Sequence, residues 1–145
     1  VELRLTIVSF RKSRRSDLAT AEDEYIKRLS RHARVELLPV RQWDDDSGVP
    51  ARLLPGSWRV GLFVDGRQRT SEQLAGRLQE LMNQGQSHLV FVIGGPEGMP
   101  AAAASQVQEK WSLSKLTLGH QLARLVLLEA LYRSYDLLHG GRYHK

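Results

Sequence analysis

Hydrophobic positions along the chain alternate or run together in five short segments, a pattern that is typical of β-strands. These segments are residues 3–10, 35–40, 60–64, 89–93 and 111–118. In 111–118, Leu113, Lys115 and Thr117 alternate with Ser112, Ser114 and Leu116, as on the two faces of a strand. The segment 60–64 is instead continuously apolar, as in a parallel strand buried on both faces. The pattern therefore predicts five strands.

Four segments between and after these strands have helical signals. Apolar residues share one stripe in 18–29, and a second helix begins at Thr70, which is spaced from Gln73 as in a capping box. Gly85 ends that helix. Pro100 begins a short third helix, and the fourth spans residues 121–138.

The predicted order of elements is βαβ followed by three βα units, without an internal repeat. This order predicts an α/β fold with a mostly parallel sheet flanked by helices, in a single domain over residues 1–145. A ligand of such a sheet binds at the carboxyl ends of the central strands.

Composition adds a charge argument and several exclusions. The formal charge of +5 favours an anionic partner such as nucleic acid. The chain has no cysteine, which excludes disulfides, thiolate catalysis and cysteine metal sites and fits a cytoplasmic location. No apolar run approaches the ~20 residues of a membrane span, and the start of the chain in a strand predicts no signal peptide. The histidines lack zinc-site spacing, so no metal is expected.

A glycine-rich turn, Gly94-Gly95-Pro96-Glu97-Gly98, follows the fourth predicted strand. It is neither a Walker A motif nor a dinucleotide fingerprint. Its residues alone leave two interpretations open: a tight strand-to-helix turn, or a loop whose backbone a cofactor approaches closely.

The last helix is apolar around nearly its whole circumference, which predicts burial on more than one side. One side packs on the sheet, and the other is expected to pack on a second subunit. Arg124 lies among leucines, so we expect it to meet a carboxylate, a carbonyl or a ligand. Glu129 and Arg133 have the spacing of a helical ion pair.

Three motifs in this order resemble the ribosomal large subunit pseudouridine methyltransferase H family. They are QSHLVFVIGGPEGMP at 86–100, WSLSKLTLGHQLARLVLLEALYR at 111–133, and the terminal Tyr143-His144-Lys145. The resemblance covers nearly the whole chain. It implies a SPOUT fold with a C-terminal trefoil knot, a homodimer and the cofactor S-adenosylmethionine. It also implies N3-methylation of a pseudouridine in 23S ribosomal RNA of the large subunit on the assembled ribosome.

The resemblance assigns cofactor binding to three segments and favours the cofactor-loop interpretation of the glycine turn. The segments are Leu62, Gly94, and the run Leu113, Ser114, Lys115, Leu116, Thr117 and Leu118. Two departures stand out: the loop 42–57 is short, and Gly141-Arg142 precedes Tyr143 where some members have His-Pro.

The chemistry of the reaction suggests roles for the C-terminal tail. The pseudouridine N3 must lose a proton, so His144 is the candidate base and Tyr143 a stacking platform or hydrogen-bond partner. Arg142 and Arg124 could stabilise charge or hold phosphate. Lys12, Arg14 and Arg15 could hold the RNA backbone or simply form a solvated loop.

Two rival functions are compatible with the sequence. A SPOUT enzyme could act on a ribose 2′-hydroxyl or on a transfer RNA base, although the Tyr143-His144 ending favours the pseudouridine family. A non-catalytic ribosome-associated protein would need only the charge and the basic loop, and it leaves the three apolar cofactor segments unexplained.

Overall fold

A computed structural model of the chain, which describes residues 2–11 and 17–144, contains a five-stranded sheet with helices on both faces. A short 3-10 helix, Ala51–Leu53, lies in the long loop between the second and third strands. In chain order the elements are β1 (Arg4–Phe10), α1 (Ala19–Leu29), β2 (Arg34–Val40), β3 (Trp58–Arg67), α2 (Ser71–Asn83), β4 (His88–Ile93), α3 (Ala101–Gln106), β5 (Glu109–Trp111) and α4 (His120–Leu138).

All strand pairs in the sheet are parallel, and their order is β2-β1-β4-β3-β5. Arg4 of β1 lies opposite Arg34 of β2 and His88 of β4, and Trp58 of β3 lies opposite Leu89. The α/β class and the parallel sheet are therefore confirmed. Because the strands are parallel, the carboxyl ends of β1, β4 and β3 meet along one edge of the sheet.

The central strand β4 supplies both hydrophobic cores, since successive side chains point to opposite faces. Leu89, Phe91 and Ile93 pack in one cluster with residues of α1, α2 and α4. Val90 and Val92 pack in the other with residues of α3 and the 3-10 helix. Every residue of β4 is buried, as its continuous apolar run predicts.

Local capping signals in the sequence correspond to real helix ends. Thr70 Oγ1 accepts from the Gln73 backbone N–H at 3.1 Å, and Gln73 Oε1 accepts from the Thr70 backbone N–H at 2.9 Å. This reciprocal pair confirms the capping box. Gly85 follows α2 with a φ of 83°, a left-handed value that favours glycine.

The prediction of a strand over residues 111–118 is wrong for most of its length, because β5 ends at Trp111. Ser112 Oγ donates to the Ser114 carbonyl at 2.8 Å, and Ser114 Oγ accepts from the Leu116 N–H at 2.9 Å. These local bonds occupy groups that a sheet would otherwise pair. The third strand also runs past the predicted 60–64, so that Leu62 lies inside β3 and not at its end.

Candidate functional site

A cavity of about 650 Å³ opens at the carboxyl edge of the sheet. The second half of β3, the turn after β4, the segment after β5 and the start of α4 form its walls. Leu62, Ile93, Leu113 and Leu118 are among the apolar side chains that line it. Small-molecule sites in proteins commonly measure about 300–1,000 Å³ and are mostly apolar, so this cavity fits that class.

The glycine turn forms one wall and is closed by its own backbone. Gly95 and Gly98 exchange backbone hydrogen bonds of 3.0 and 2.9 Å, and Gly98 has a φ of 98°. A β-carbon on Gly94 would lie 2.8 Å from the Gly98 carbonyl carbon. The turn therefore requires glycine at position 94 for its own packing, and it is at once a tight strand-to-helix turn and a cavity wall.

The segment between β5 and α4 forms the opposite wall. The hydrogen bonds within Ser112, Ser114 and Leu116 fix its path. Leu116 lines the cavity although its side chain is 74% exposed.

The structure brings most of the predicted cofactor residues together. Those that line the cavity are Leu62, Gly94, Leu113, Ser114, Leu116, Thr117 and Leu118. Lys115 is exposed and is not part of the lining. The cofactor-binding roles of these residues stay predictions, but their convergence from three separate segments is a property of the fold.

His120, to which the sequence motifs assign no role, lines the same cavity at the first turn of α4. Its position directly after Leu118-Gly119 was the available signal. Burial lowers the pKa of His120, and the positive charges of Arg11 and Arg124 lower it further. The imidazole is therefore neutral at neutral pH, and it is able to accept a proton or a hydrogen bond from a ligand.

A buried ion pair lies behind this histidine. Arg124 donates to the two carboxylate oxygens of Glu22 at 2.5 and 3.0 Å, and its third contact is Ser9 Oγ at 3.3 Å. Both charged side chains are almost completely buried. Of the three partners expected for Arg124, a carboxylate, a carbonyl or a ligand, the structure shows the carboxylate. The pair joins α1 to α4 next to the cavity.

The C-terminal tail folds back along its own chain. The Tyr143 hydroxyl donates to Glu129 Oε2 at 2.8 Å and lies 3.1 Å from the Tyr25 hydroxyl. Burial and these two hydrogen bonds raise the pKa of Tyr143, so the phenol is protonated at neutral pH. The Arg133 guanidinium lies 4.7 Å from the centre of the Tyr143 ring and pairs with Glu129, as its spacing predicts.

His144 connects the tail to α2. Its Nε2 lies 2.7 Å from Glu72 Oε1, and Arg133 Nη1 lies 3.0 Å from its Nδ1. Because a carboxylate only accepts, the ring donates from Nε2 and accepts at Nδ1. Arg142 is exposed, and none of the three predicted catalytic residues Arg142, Tyr143 and His144 lines the cavity of the same chain.

Other predicted features lie outside the site or outside the described residues. The basic residues Lys12, Arg14 and Arg15 fall in 12–16, which the structure does not describe. Within residues 2–11 and 17–144, histidine and acidic side chains form no group of three suited to a metal ion. None of the helices in that part of the chain combines the length and hydrophobicity needed to span a bilayer.

Sequence comparisons give this geometry a family. Residues 3–144 match the family described as "Predicted SPOUT methyltransferase". Proteins named ribosomal RNA large subunit methyltransferase H are similar along nearly their whole length. Those of Lysinibacillus sphaericus and Acetivibrio thermocellus are each 35% identical over 159 aligned positions, covering 99% of this chain and 100% of the relative. That of Legionella pneumophila is 34% identical and covers 99% of both chains. With its parallel sheet and the cavity at its carboxyl edge, the chain belongs to the SPOUT methyltransferase family.

Proposed function

We propose that this protein transfers a methyl group from S-adenosylmethionine to N3 of a pseudouridine in 23S ribosomal RNA, in the large subunit or the assembled ribosome. One observation carries the proposal: residues of three separated segments, chosen from family motifs, line a single cavity. The names of the relatives support ribosomal RNA as the substrate. The formal charge of +5 suits an RNA partner.

The cavity fits the cofactor in size and in lining. Leu62, Leu113 and Leu118 offer apolar surface for the adenine ring, and the glycine turn leaves backbone groups accessible at the wall. S-adenosylmethionine, when bound, supplies a methyl group activated by a sulfonium. The chain's own contribution is to orient this group towards the nucleotide and to exclude water, and orientation of this kind is worth about 7–11 kcal/mol.

A homodimer with α4 in its interface is part of the proposal. Leu122, on the first turns of α4, is 45% exposed, and Leu125 and Val126 beside it are only half-buried. Leu128, by contrast, has no exposed surface and belongs to the chain's own core. Leu122→Glu is therefore the substitution that separates dimer formation from folding.

The tail supplies the proton chemistry in this proposal. The pseudouridine N3 loses its proton as the methyl group arrives, and His144 of a second copy accepts it. Tyr143 stacks on or hydrogen-bonds to the base, and Arg142 balances charge near the phosphate. Within its own chain the tail contacts α1, α2 and α4, and His144 lies against Glu72 and Arg133.

The single domain and the trefoil knot complete the proposal. Both rest on the family match over residues 3–144. The chain passes from β4 through α3 to β5 beyond β3, and the following segment returns to the cavity beside the glycine turn. This return of the chain supports the proposal of a knot in the C-terminal part.

The experiment has two parts. Calorimetry with S-adenosylmethionine tests the cavity, and mass spectrometry of ribosomal RNA nucleosides from a strain lacking the gene tests the product. Loss of N3-methylpseudouridine, with its return on complementation, is the expected result. Methylation of free transfer RNA but not of ribosomes would favour the rival SPOUT substrate, and absence of cofactor binding would favour the non-catalytic RNA-binding protein.

Mixed dimers test whether the site is shared. One chain lacks residues 142–145, and the other carries Gly94→Val. Each parent homodimer should be inactive, and the tail deletion should lower methylation at least about a hundredfold while leaving cofactor affinity within a few-fold. The mixed dimer should recover about half of normal activity, since it contains one complete site. Inactive mixed dimers would show that the tail does not act across the interface.

A further inference from the structure

A second cleft lies on the far side of β3 from β4, between α2 and the edge strand β5, and has a volume of about 710 Å³. Its lining is polar and rich in basic side chains, and it shares no residue with the lining of the candidate cofactor cavity. The cations are Arg67, Arg69, Arg77 and Lys110, and the carboxylates are Glu80 and Glu109. The cations of this lining therefore outnumber its carboxylates by two.

Glu109, the more enclosed carboxylate, already has a full set of donors. Its Oε1 accepts from Trp58 Nε1 at 2.5 Å and from Arg77 Nη2 at 2.7 Å. Its Oε2 accepts from Trp111 Nε1 at 2.6 Å and from Arg77 Nε at 3.3 Å. A carboxylate with four donors has little capacity left to satisfy a further cation.

Arg69 is the cation that remains without adequate compensation. Its side chain is only 9% exposed, and its Nη2 lies 3.7 Å from Glu109, beyond hydrogen-bond distance. Its Nη1 is buried without a hydrogen-bond partner among the described residues. The guanidinium packs over the Trp111 ring, 5.4 Å from its centre. Burial lowers the pKa of Arg69. The negative charge of Glu109 raises it, and the positive charges of Arg67 and Arg77 lower it further.

The buried Arg69 guanidinium, whose Nη1 has no acceptor among the described residues, suggests that the cleft binds an anionic ligand. A buried guanidinium with an unused N–H is costly, and a phosphate oxygen offers the acceptor that is lacking. The amides of Gln73 and Gln108 line the same cleft as further donors. Gly76 is exposed on the α2 side of the cleft, and outside its own stretch of helix a β-carbon there would meet open space.

We propose that this cleft is a phosphate-binding site that holds a backbone phosphate of the RNA substrate away from the methyl-transfer cavity. The choice of RNA as the source of the phosphate rests on the proposed function, whereas the choice of phosphate rests on the charges and donors of the cleft. Gln73 directly follows Glu72, which contacts His144 of the tail. The cleft and the docking place of the tail therefore adjoin on α2, and a phosphate in the cleft brings RNA next to the tail.

The test compares matched pairs of charge-removing variants. Arg69→Gln with Lys110→Gln removes two cations of the cleft, and Arg31→Gln with Arg34→Gln removes two exposed cations near the opposite edge of the sheet. Inorganic pyrophosphate and a short single-stranded RNA are the probes. Calorimetry with S-adenosylmethionine and thermal unfolding establish that each variant is folded.

The cleft variant should bind both probes at least about tenfold more weakly, and the control should retain pyrophosphate affinity within about twofold. The dependence of RNA binding on salt should also become shallower, by about 0.7 in slope for each RNA phosphate that the variant no longer neutralises. If Arg69→Gln does not fold, the double variant Arg67→Gln with Lys110→Gln replaces it, because both of these side chains are exposed. This variant should also bind both probes more weakly.

Three outcomes distinguish the parts of the inference. Unchanged binding of both probes would overturn the phosphate site. Weaker pyrophosphate binding with unchanged RNA binding would overturn RNA as the source of the phosphate and indicate a free phosphorylated compound. Native protein that binds pyrophosphate in the cleft but not S-adenosylmethionine would refute the proposed methyl transfer and leave the phosphate site standing.

Discussion

Gly94→Ala tests whether the glycine turn shapes the cofactor cavity. The added β-carbon would lie 2.8 Å from the Gly98 carbonyl carbon and 2.9 Å from both Gly98 O and Met99 N. Ordinary contacts begin at 3.4 Å, so the turn must move by about 0.6 Å. Overpacking against backbone costs about 1–3 kcal/mol. Because the displaced residues line the cavity, we expect cofactor affinity to fall at least about tenfold, which corresponds to about 1.4 kcal/mol.

The assay measures the affinity for S-adenosylmethionine by calorimetry and the free energy of unfolding in urea. Gly76→Ala is the matched control, since it adds a β-carbon on α2 that meets open space outside its own stretch of helix. That variant should be more stable by about 0.5–1 kcal/mol and should bind the cofactor with native affinity. Native affinity and stability in Gly94→Ala would refute the close-packed turn, and reduced stability with native affinity would show that the turn does not shape the site.

Three further predictions concern stability, pH and assembly. Glu22→Gln leaves Arg124 buried without a carboxylate and should lower the free energy of unfolding by about 3–5 kcal/mol. The control on the same helix, Glu24→Gln, breaks an exposed pair and should cost under about 1 kcal/mol; equal losses in urea unfolding would contradict the argument. Burial lowers the pKa of His88, so the unfolded chain takes up a proton at this residue at a higher pH than the folded chain does. The contribution of His88 to the free energy of unfolding should therefore be complete above about pH 6.5 and should decrease as the pH falls below that value. His88→Gln should flatten that dependence in unfolding curves between about pH 7 and pH 5. Leu122→Glu should shift the protein from dimer to monomer in light scattering without loss of helix, and a native monomer would rule out the proposed assembly.

Local structure could be read from the sequence wherever a short-range physical rule decides it. The capping box of Thr70 and Gln73 and the left-handed Gly85 each depend on contacts within a few residues. The apolar run of 89–93 correctly predicted the strand β4. The prediction that 60–64 is buried on both faces is wrong at the end of the run, where Val64 is 49% exposed. The same kind of reasoning failed over 112–118, where serine side chains bond to the nearby backbone and replace the alternating ladder.

The candidate site required more than local rules. The motifs that carry the family resemblance named Leu62, Gly94 and the run after Trp111, but nothing in their spacing shows that they meet. They converge because β3 and β4 are parallel neighbours and their carboxyl ends share an edge of the sheet. The same convergence brought His120 into the cavity.

What the sequence determined by itself was therefore the class of fold, most element boundaries and, through its motifs, the family and the candidate cofactor residues. Spacing within one helix predicted the pair of Glu129 and Arg133, but only the tertiary structure decided which charges pair between separate elements. Nothing in the sequence shows that the partner of Arg124 is Glu22, 102 positions away, or that Arg69 finds no partner for Nη1 among the described residues. Such pairings depend on the placement of whole helices and strands to within an ångström or so, because hydrogen bonds form only over a narrow range of distance and angle.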